Sequence, residues 1–195
     1  MKFKKLHDEL NNILDGPLLI SQEIFNDSRG YFCETWNQEK FNQLLKAKII
    51  FVQDNQSYSK EGTLRGLHYQ LEPKAQGKLV RVTCGKIYDV IVDLRLESQT
   101  FCKWTGLELN SETKDQLWIP PGFAHGFLTT SREAIVEYKV TNYWDKELDR
   151  SLSWEDPDLS IQWPLKNKNF IPKISNKDMM APSLKIILEK GEVFK

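Results

Sequence analysis

Lys86-Ile-Tyr-Asp-Val-Ile-Val-Asp-Leu-Arg95 alternates with a period of two. Tyr88, Val90, Val92 and Leu94 fall on one face, and Ile87, Asp89, Ile91 and Asp93 on the other. That spacing suits a β-strand and not a helix. Ala134-Ile-Val-Glu-Tyr-Lys-Val140 repeats the pattern: Ala134, Val136, Tyr138 and Val140 form an apolar face, backed by Glu137, Lys139 and Thr141. Outward from these two, candidate strands lie near residues 17–25, 30–36, 49–58, 64–70, 78–84, 103–110, 115–120 and 124–131, with the quoted pair near 86–95 and 133–143. Turns rich in Gly, Asn, Ser and Pro separate them, which predicts an all-β antiparallel sandwich or barrel. One helix interrupts the strands, with Asn37 as its cap, Glu39 and Lys40 in its first turn, and Phe41, Leu44 and Leu45 as its apolar stripe. Trp154, Pro157, Trp163, Pro164, Ile171 and Pro172 read as an extended segment pinned by rings, and Ser175 to Pro182 as a turn or a single helical turn. So many strands create exposed edges, which a closed jelly roll or a dimer would protect.

The 195 residues suit one domain, here 1–195, or one domain with terminal arms. Lysine plus arginine and aspartate plus glutamate both total 27, and the zero net charge argues against nucleic acid or an acidic membrane as partner. An anionic ligand then needs a local cluster of cations. Cys33, Cys84 and Cys102 form neither a C-x-x-C nor a zinc spacing, which predicts a reduced, cytoplasmic chain. The first ten residues are too charged for a secretory signal, and no apolar run reaches the length of a membrane span.

Leu64-Arg-Gly-Leu-His-Tyr-Gln70 is the densest candidate for chemistry. Taken alone, His68 reads as a hydrogen-bonded core residue. Arg65 three residues earlier and Lys78 at the start of the next strand change that, because three such polar groups are costly to bury without a ligand. Strict alternation puts Arg65 and His68 on opposite faces. Gly66 between them predicts a bulge that turns both inward. Tyr138, on its apolar face, points its hydroxyl into the barrel and supplies a proton donor to complement a histidine base. His125, in Pro120-Pro-Gly-Phe-Ala-His-Gly-Phe127, reads either as a histidine packed among rings or as a neutral donor lining a cavity. The surrounding pattern is similar to the second motif of cupins, but a metal cupin wants a His-x-His pair and position 70 is Gln. With three histidines in the chain, a metal centre is not expected. Arg29 has the planar fork that suits phosphate oxygens, or simply sits in a solvated turn. No phosphate-cradling glycine loop and no Gly-x-Ser-x-Gly occurs.

Taken together, these segments resemble the dTDP-4-dehydrorhamnose 3,5-epimerase family. The resemblance is carried by Arg29-Gly-Tyr-Phe, Phe51-Val-Gln-Asp-Asn, Leu64-Arg-Gly-Leu-His-Tyr-Gln, Gly77-Lys-Leu-Val-Arg, Asp89-Val-Ile-Val-Asp-Leu-Arg and Ser98-Gln-Thr-Phe. It continues through Gln116-Leu-Trp-Ile-Pro-Pro-Gly-Phe-Ala-His-Gly-Phe, Tyr138-Lys-Val-Thr-Asn-Tyr-Trp, Trp154-Glu-Asp-Pro, Ile161-Gln-Trp-Pro and Ser175-Asn-Lys-Asp. It covers about residues 17–185 in order, leaving 1–16 as an N-terminal arm. It implies a cupin-type jelly-roll homodimer with short helices, terminal arms and a cofactor-free site inside each barrel. His68 matches the general base, Asp178 the carboxylate paired with it, Tyr138 the proton donor and Lys78 the cation near the substrate carbonyl. Arg29, Arg65 and Lys177 match groups around the nucleotide diphosphate. Glu34, Gln53 and Asn55 match nucleotide and phosphate contacts, and His125 another site-lining contact. Trp144 stands where the family usually stacks a tyrosine on thymine, and Asp149 where relatives often carry Glu. Met179 and Met180 replace small residues, a change that nothing in the sequence explains.

The implied reaction converts dTDP-4-dehydro-6-deoxy-D-glucose to dTDP-4-dehydro-L-rhamnose on the way to a deoxysugar for a polysaccharide. A C4 ketone acidifies the hydrogens at C3 and C5, so a base, an acid and a cation suffice. Inversion at one carbon, another keto-sugar nucleotide such as a GDP-heptose, and a non-catalytic sugar-nucleotide module are the alternatives. The last of these predicts a missing base or acid.

Overall fold

The computed structural model describes residues 2–167 and 170–195. Its elements open with β1 (Lys2–His7), β2 (Ile13–Ser21), β3 (Ile24–Asp27), β4 (Gly30–Cys33) and α1 (Gln38–Leu45). The central run is β5 (Gln53–Lys60), β6 (Leu64–Gln70), β7 (Lys78–Cys84), β8 (Lys86–Asp93) and β9 (Trp104–Asn110). It closes with β10 (Gln116–Ile119), β11 (Phe123–Thr129), β12 (Glu133–Val140), β13 (Asp149–Ser151), α2 (Asn176–Met179) and α3 (Leu184–Glu189). Two antiparallel sheets face each other, ordered β1-β2-β10-β7-β12-β5 and β13-β6-β11-β8-β9, with β3–β4 as a separate hairpin. This is the all-β cupin-type jelly roll.

Period-two sequence makes both sheet faces useful. Ile87 and Ile91 of β8 point between the sheets, where they meet Val80, Val82, Leu117, Phe127, Ala134 and Val136. Val90, Val92 and Leu94 point outward into a second cluster with Leu152, Leu159, Leu184, Ile187 and Phe194 of the C-terminal segment. Each such side chain contributes about 1.5–3 kcal/mol when fully buried, so the C-terminal segment is fastened to the outside of the five-stranded sheet. α1 covers the opposite flank. Asn37 accepts from the Lys40 N–H at 3.1 Å as its N-cap, and Phe41 packs with Trp36, Phe51 and Trp118.

The structure differs from the sequence reading at the ends. Residues within the expected N-terminal arm form β1 and the start of β2, which pair antiparallel as one edge of the six-stranded sheet. Lysines at positions 2, 4 and 5 mask that strand, and they suit an exposed edge. β13 and α3 were not expected. β13 is three residues long, too short for a periodic signal. Among the described residues no helix is long and apolar enough to cross a membrane.

The bulge expected at Gly66 is present. On β11, His125 pairs with His68 and Phe127 with Arg65, so two steps on β11 oppose three on β6. Gly66 has φ +112, and a Cβ there would meet Gly126 Cα and the His125 carbonyl oxygen at 2.6 Å. Glycine is required both by the backbone conformation and by the approach of β11. The extra residue places both Arg65 and His68 on the cavity wall, while Leu67 is buried in the outer cluster.

Candidate active site

A cavity of about 810 Å³ opens between the sheets, within the range of small-molecule sites. β5 supplies Gln53 and Asn55, β6 Arg65 and His68, β7 Lys78, β11 His125, β12 Tyr138, and α2 Lys177 and Asp178, with Trp144 at the rim. Ten of the twelve side chains singled out from sequence therefore line one space.

The central pair joins residues 110 positions apart: His68 Nε2 lies 2.5 Å from Asp178 Oδ1. Two backbone clamps deliver Asp178 to it. The Leu64 N–H donates to the Lys173 carbonyl at 3.0 Å, and the Lys173 N–H to that of Gly62 at 2.8 Å. Beyond the helix, the Ser153 N–H donates to the Pro182 carbonyl at 2.9 Å. Ser175 caps α2 by accepting from the Asp178 N–H at 3.1 Å. Asp178 is 3% exposed. Burial alone would raise its carboxyl pKa, but the bond and charge of His68, with the Gly66 N–H, hold it below the ordinary value. The carboxylate fixes the proton on Nε2 and leaves the Nδ1 lone pair available as a base.

Lys78 is buried, and its Nζ donates to the His68 carbonyl at 3.2 Å. Burial lowers its pKa to about 8, against the opposing pull of Asp89 and Asp149. The Tyr138 phenol is raised above its usual value by burial, with Arg65 pulling the other way, so it stays protonated through neutral pH. Arg65 is braced from behind: Nε donates to Ser59 Oγ at 2.9 Å and Nη2 to the Tyr58 carbonyl at 3.1 Å. Lys177 is paired with Asp149 at 2.5 Å. Gln53 links the rim, donating to Asn55 Oδ1 at 2.8 Å and accepting from the Trp144 N–H at 3.1 Å.

His125 settles between its two expected readings. It lines the cavity, yet its Nε2 lies 2.9 Å from Asp89 Oδ2. Burial pushes its pKa down, only partly offset by Asp89. The neutral ring thus commits its N–H to Asp89 and keeps Nδ1 unprotonated. Asp89 went unread as a site group. Its signal was a carboxylate between Ile87 and Ile91 on the inward face of β8. Gln70, which takes the place of a metal-cupin histidine, braces loops: it donates to the Lys74 and Tyr143 carbonyls and accepts from the Asp145 N–H.

Arg29 and Glu34 do not line the cavity. The Arg29 side chain is 88% exposed and paired with Asp27, and Glu34 is bonded to Lys40 and Asn37. Arg29 lies in the turn of the β3–β4 hairpin and Glu34 directly follows β4, and no residue of the hairpin is among those lining the cavity of its own chain.

The family model described as dTDP-4-dehydrorhamnose 3,5-epimerase matches residues 11–185. The chain is 51% identical over 152 residues to dTDP-4-dehydrorhamnose 3,5-epimerase of Methanothermobacter thermautotrophicus, covering 78% of this chain and 81% of that protein. It is 49% identical over 162 residues to the Shigella flexneri protein of the same name, covering 83% and 87%. Its fold matches that of dTDP-6-deoxy-D-glucose-3,5-epimerase from Legionella pneumophila, solved in complex with dTDP-4-keto-L-rhamnose. That match has a TM-score of 0.89 and 40% identity, over 100% of this chain and 98% of the other.

Proposed function

The chain belongs to the dTDP-4-dehydrorhamnose 3,5-epimerase family, and from that premise we infer that it inverts C3 and C5 of dTDP-4-dehydro-6-deoxy-D-glucose, giving dTDP-4-dehydro-L-rhamnose. The observation that carries the reading is one cavity lined by a carboxylate-backed imidazole, a phenol and a buried ammonium. His68 takes the proton from the carbon beside the ketone. The C–H electron pair becomes the enolate double bond, and the carbonyl pair moves onto O4. Lys78, itself buried in the cavity wall, stabilises that oxyanion. Tyr138 returns a proton to the opposite face, and exchange with solvent resets both side chains. Arg65 and Lys177 hold the diphosphate, Gln53 and Asn55 the nucleotide, and Trp144 stacks on the thymine ring. No step calls for a redox cofactor or a metal. Residues 1–195 act as one domain in this reading, because both ends of the chain are fastened to the barrel sheets.

Incubation with dTDP-4-dehydro-6-deoxy-D-glucose in heavy water tests it. Deuterium is expected at both C3 and C5. Label at one carbon alone marks a mono-epimerase, and no label overturns the reading.

The enzyme acts as a homodimer whose partner hairpin completes each site. Support comes from the β3–β4 hairpin, where Phe25, Tyr31 and Phe32 are 54%, 57% and 68% exposed. A two-stranded ribbon carrying three exposed rings is poorly stabilised alone and marks an interface. Mixing inactive His68→Ala with impaired Arg29→Ala protomers should restore activity, since a mixed dimer has one intact site. Activity no greater than the sum of the separate variants rules out a hairpin shared between subunits.

A further inference from the structure

Trp144 carries an exposed ring on a fixed backbone. The ring lines the cavity and the residue is 56% exposed. The chain beneath it is held at three polar groups in succession. The Tyr143 carbonyl accepts from Gln70 Nε2 at 3.0 Å, the Trp144 N–H donates to Gln53 Oε1 at 3.1 Å, and the Asp145 N–H donates to Gln70 Oε1 at 2.8 Å. Gln70 is buried, and its Nε2 also donates to the Lys74 carbonyl at 2.5 Å. Three bonds leave its amide a single orientation. Joining the two loops does not require this arrangement. Gln76 donates to the Asn142 carbonyl, Asn142 donates to the Ala75 carbonyl, and Lys74 pairs with Asp145, so residues 71–77 and 141–148 are already tied together. What Gln70 adds is a grip on both sides of Trp144.

Resting on the reading that Trp144 stacks on the thymine ring, we propose that Gln70 is a positioning residue for the nucleotide: it presets the Trp144 backbone so that the ring stands ready before the base arrives. A ring on a loose loop has to be ordered when a ligand stacks on it, which lowers affinity about 2- to 12-fold for each side chain immobilised. A backbone held in advance avoids that loss. The effect belongs to binding and not to proton transfer. Gln70 directs its bonds to the two loops and none to His68, Lys78, Tyr138 or Asp178. The position where a metal cupin places a histidine serves recognition here.

Gln70→Met keeps the length of the side chain and loses all three bonds. Calorimetric titration with dTDP and with inorganic pyrophosphate tests the proposal. Affinity for dTDP should fall about 2- to 12-fold, while affinity for pyrophosphate, which has no base, stays unchanged. KM should rise with kcat unaltered. Trp144→Ala should weaken dTDP by about 5- to 150-fold, the worth of one stacked base, and the double variant should be no weaker than Trp144→Ala alone. Equal losses for dTDP and pyrophosphate, or a double variant weaker by the product of the two single effects, make Gln70 a general brace and overturn the proposal. A weakened Trp144→Ala beside an unweakened Gln70→Met overturns it while the stacking stands. An unweakened Trp144→Ala removes the stacking and the proposal with it. If Gln70→Met does not fold, the unaltered protein decides: the Trp144 and Asp145 amide protons should resist hydrogen exchange without dTDP, and protection that appears only with dTDP overturns the proposal. These arms need no turnover, so a failure to exchange deuterium into the keto sugar would sink the reaction and leave this test standing.

Discussion

His68→Ala abolishes deuterium entry at C3 and at C5 alike while leaving nucleotide binding in place. Both abstractions need a base, and His68 is the more exposed of the two carboxylate-backed imidazoles in the cavity, at 32% against 8% for His125. His125 is also backed by a carboxylate, Asp89, but it is buried and burial pushes its pKa down, which makes it the weaker base. A positioned base contributes about 10²–10⁴-fold, so exchange should fall to the limit of detection. Affinity for dTDP should change little, because the hydrogen bonds that hold Arg65, Lys177 and the Gln53–Asn55–Trp144 rim in place do not involve the imidazole. Truncation leaves Asp178 buried beside an empty space, so His68→Asn is the better-folded companion variant. Exchange within tenfold of the unaltered enzyme in either variant would show that another group is the base.

Tyr138→Phe separates the two halves of the reaction. The ring still fills its place on β12, so packing is preserved, and only the donor is lost. Its proton is held through neutral pH by burial, which suits an acid that acts after the enolate has formed. Proton abstraction should continue and inversion should fall by about 10²–10⁴-fold, the usual worth of a positioned acid. The measurement is the ratio of deuterium exchange with retention to net epimerisation in the same sample. Equal loss of both would remove Tyr138 from the role of acid and leave it a positioning part.

Much of this site can be read from the sequence because it is built on strands. The segments expected at 64–70 and 78–84 are β6 and β7 with those bounds, since period-two alternation between clear turns leaves little freedom. The bulge was legible through chemistry: Arg65 and His68 had to share a face, and Gly66 was the residue able to let them. Other parts were hidden for identifiable reasons. The pairing of His68 with Asp178 spans most of the barrel, and its clamps are backbone bonds that carry no side-chain signature; the family resemblance supplied it. Asp89 was counted as half of a stripe, when its meaning lay in being charged on an inward apolar face. Arg29 and Glu34 stand out in the sequence, but strand patterns say nothing about whether a hairpin serves its own chain or a neighbour.

The contact between Gly66 and Gly126 also bears on how such an enzyme can diversify. A side chain at either glycine would push into the facing backbone, so that seam tolerates almost no variation while the barrel survives. Trp144 and Lys177 sit at the rim, half exposed, and can be exchanged without disturbing the strands. Natural drift and laboratory libraries alike should therefore find new sugar nucleotides by altering the entrance, with the proton-moving machinery inherited intact.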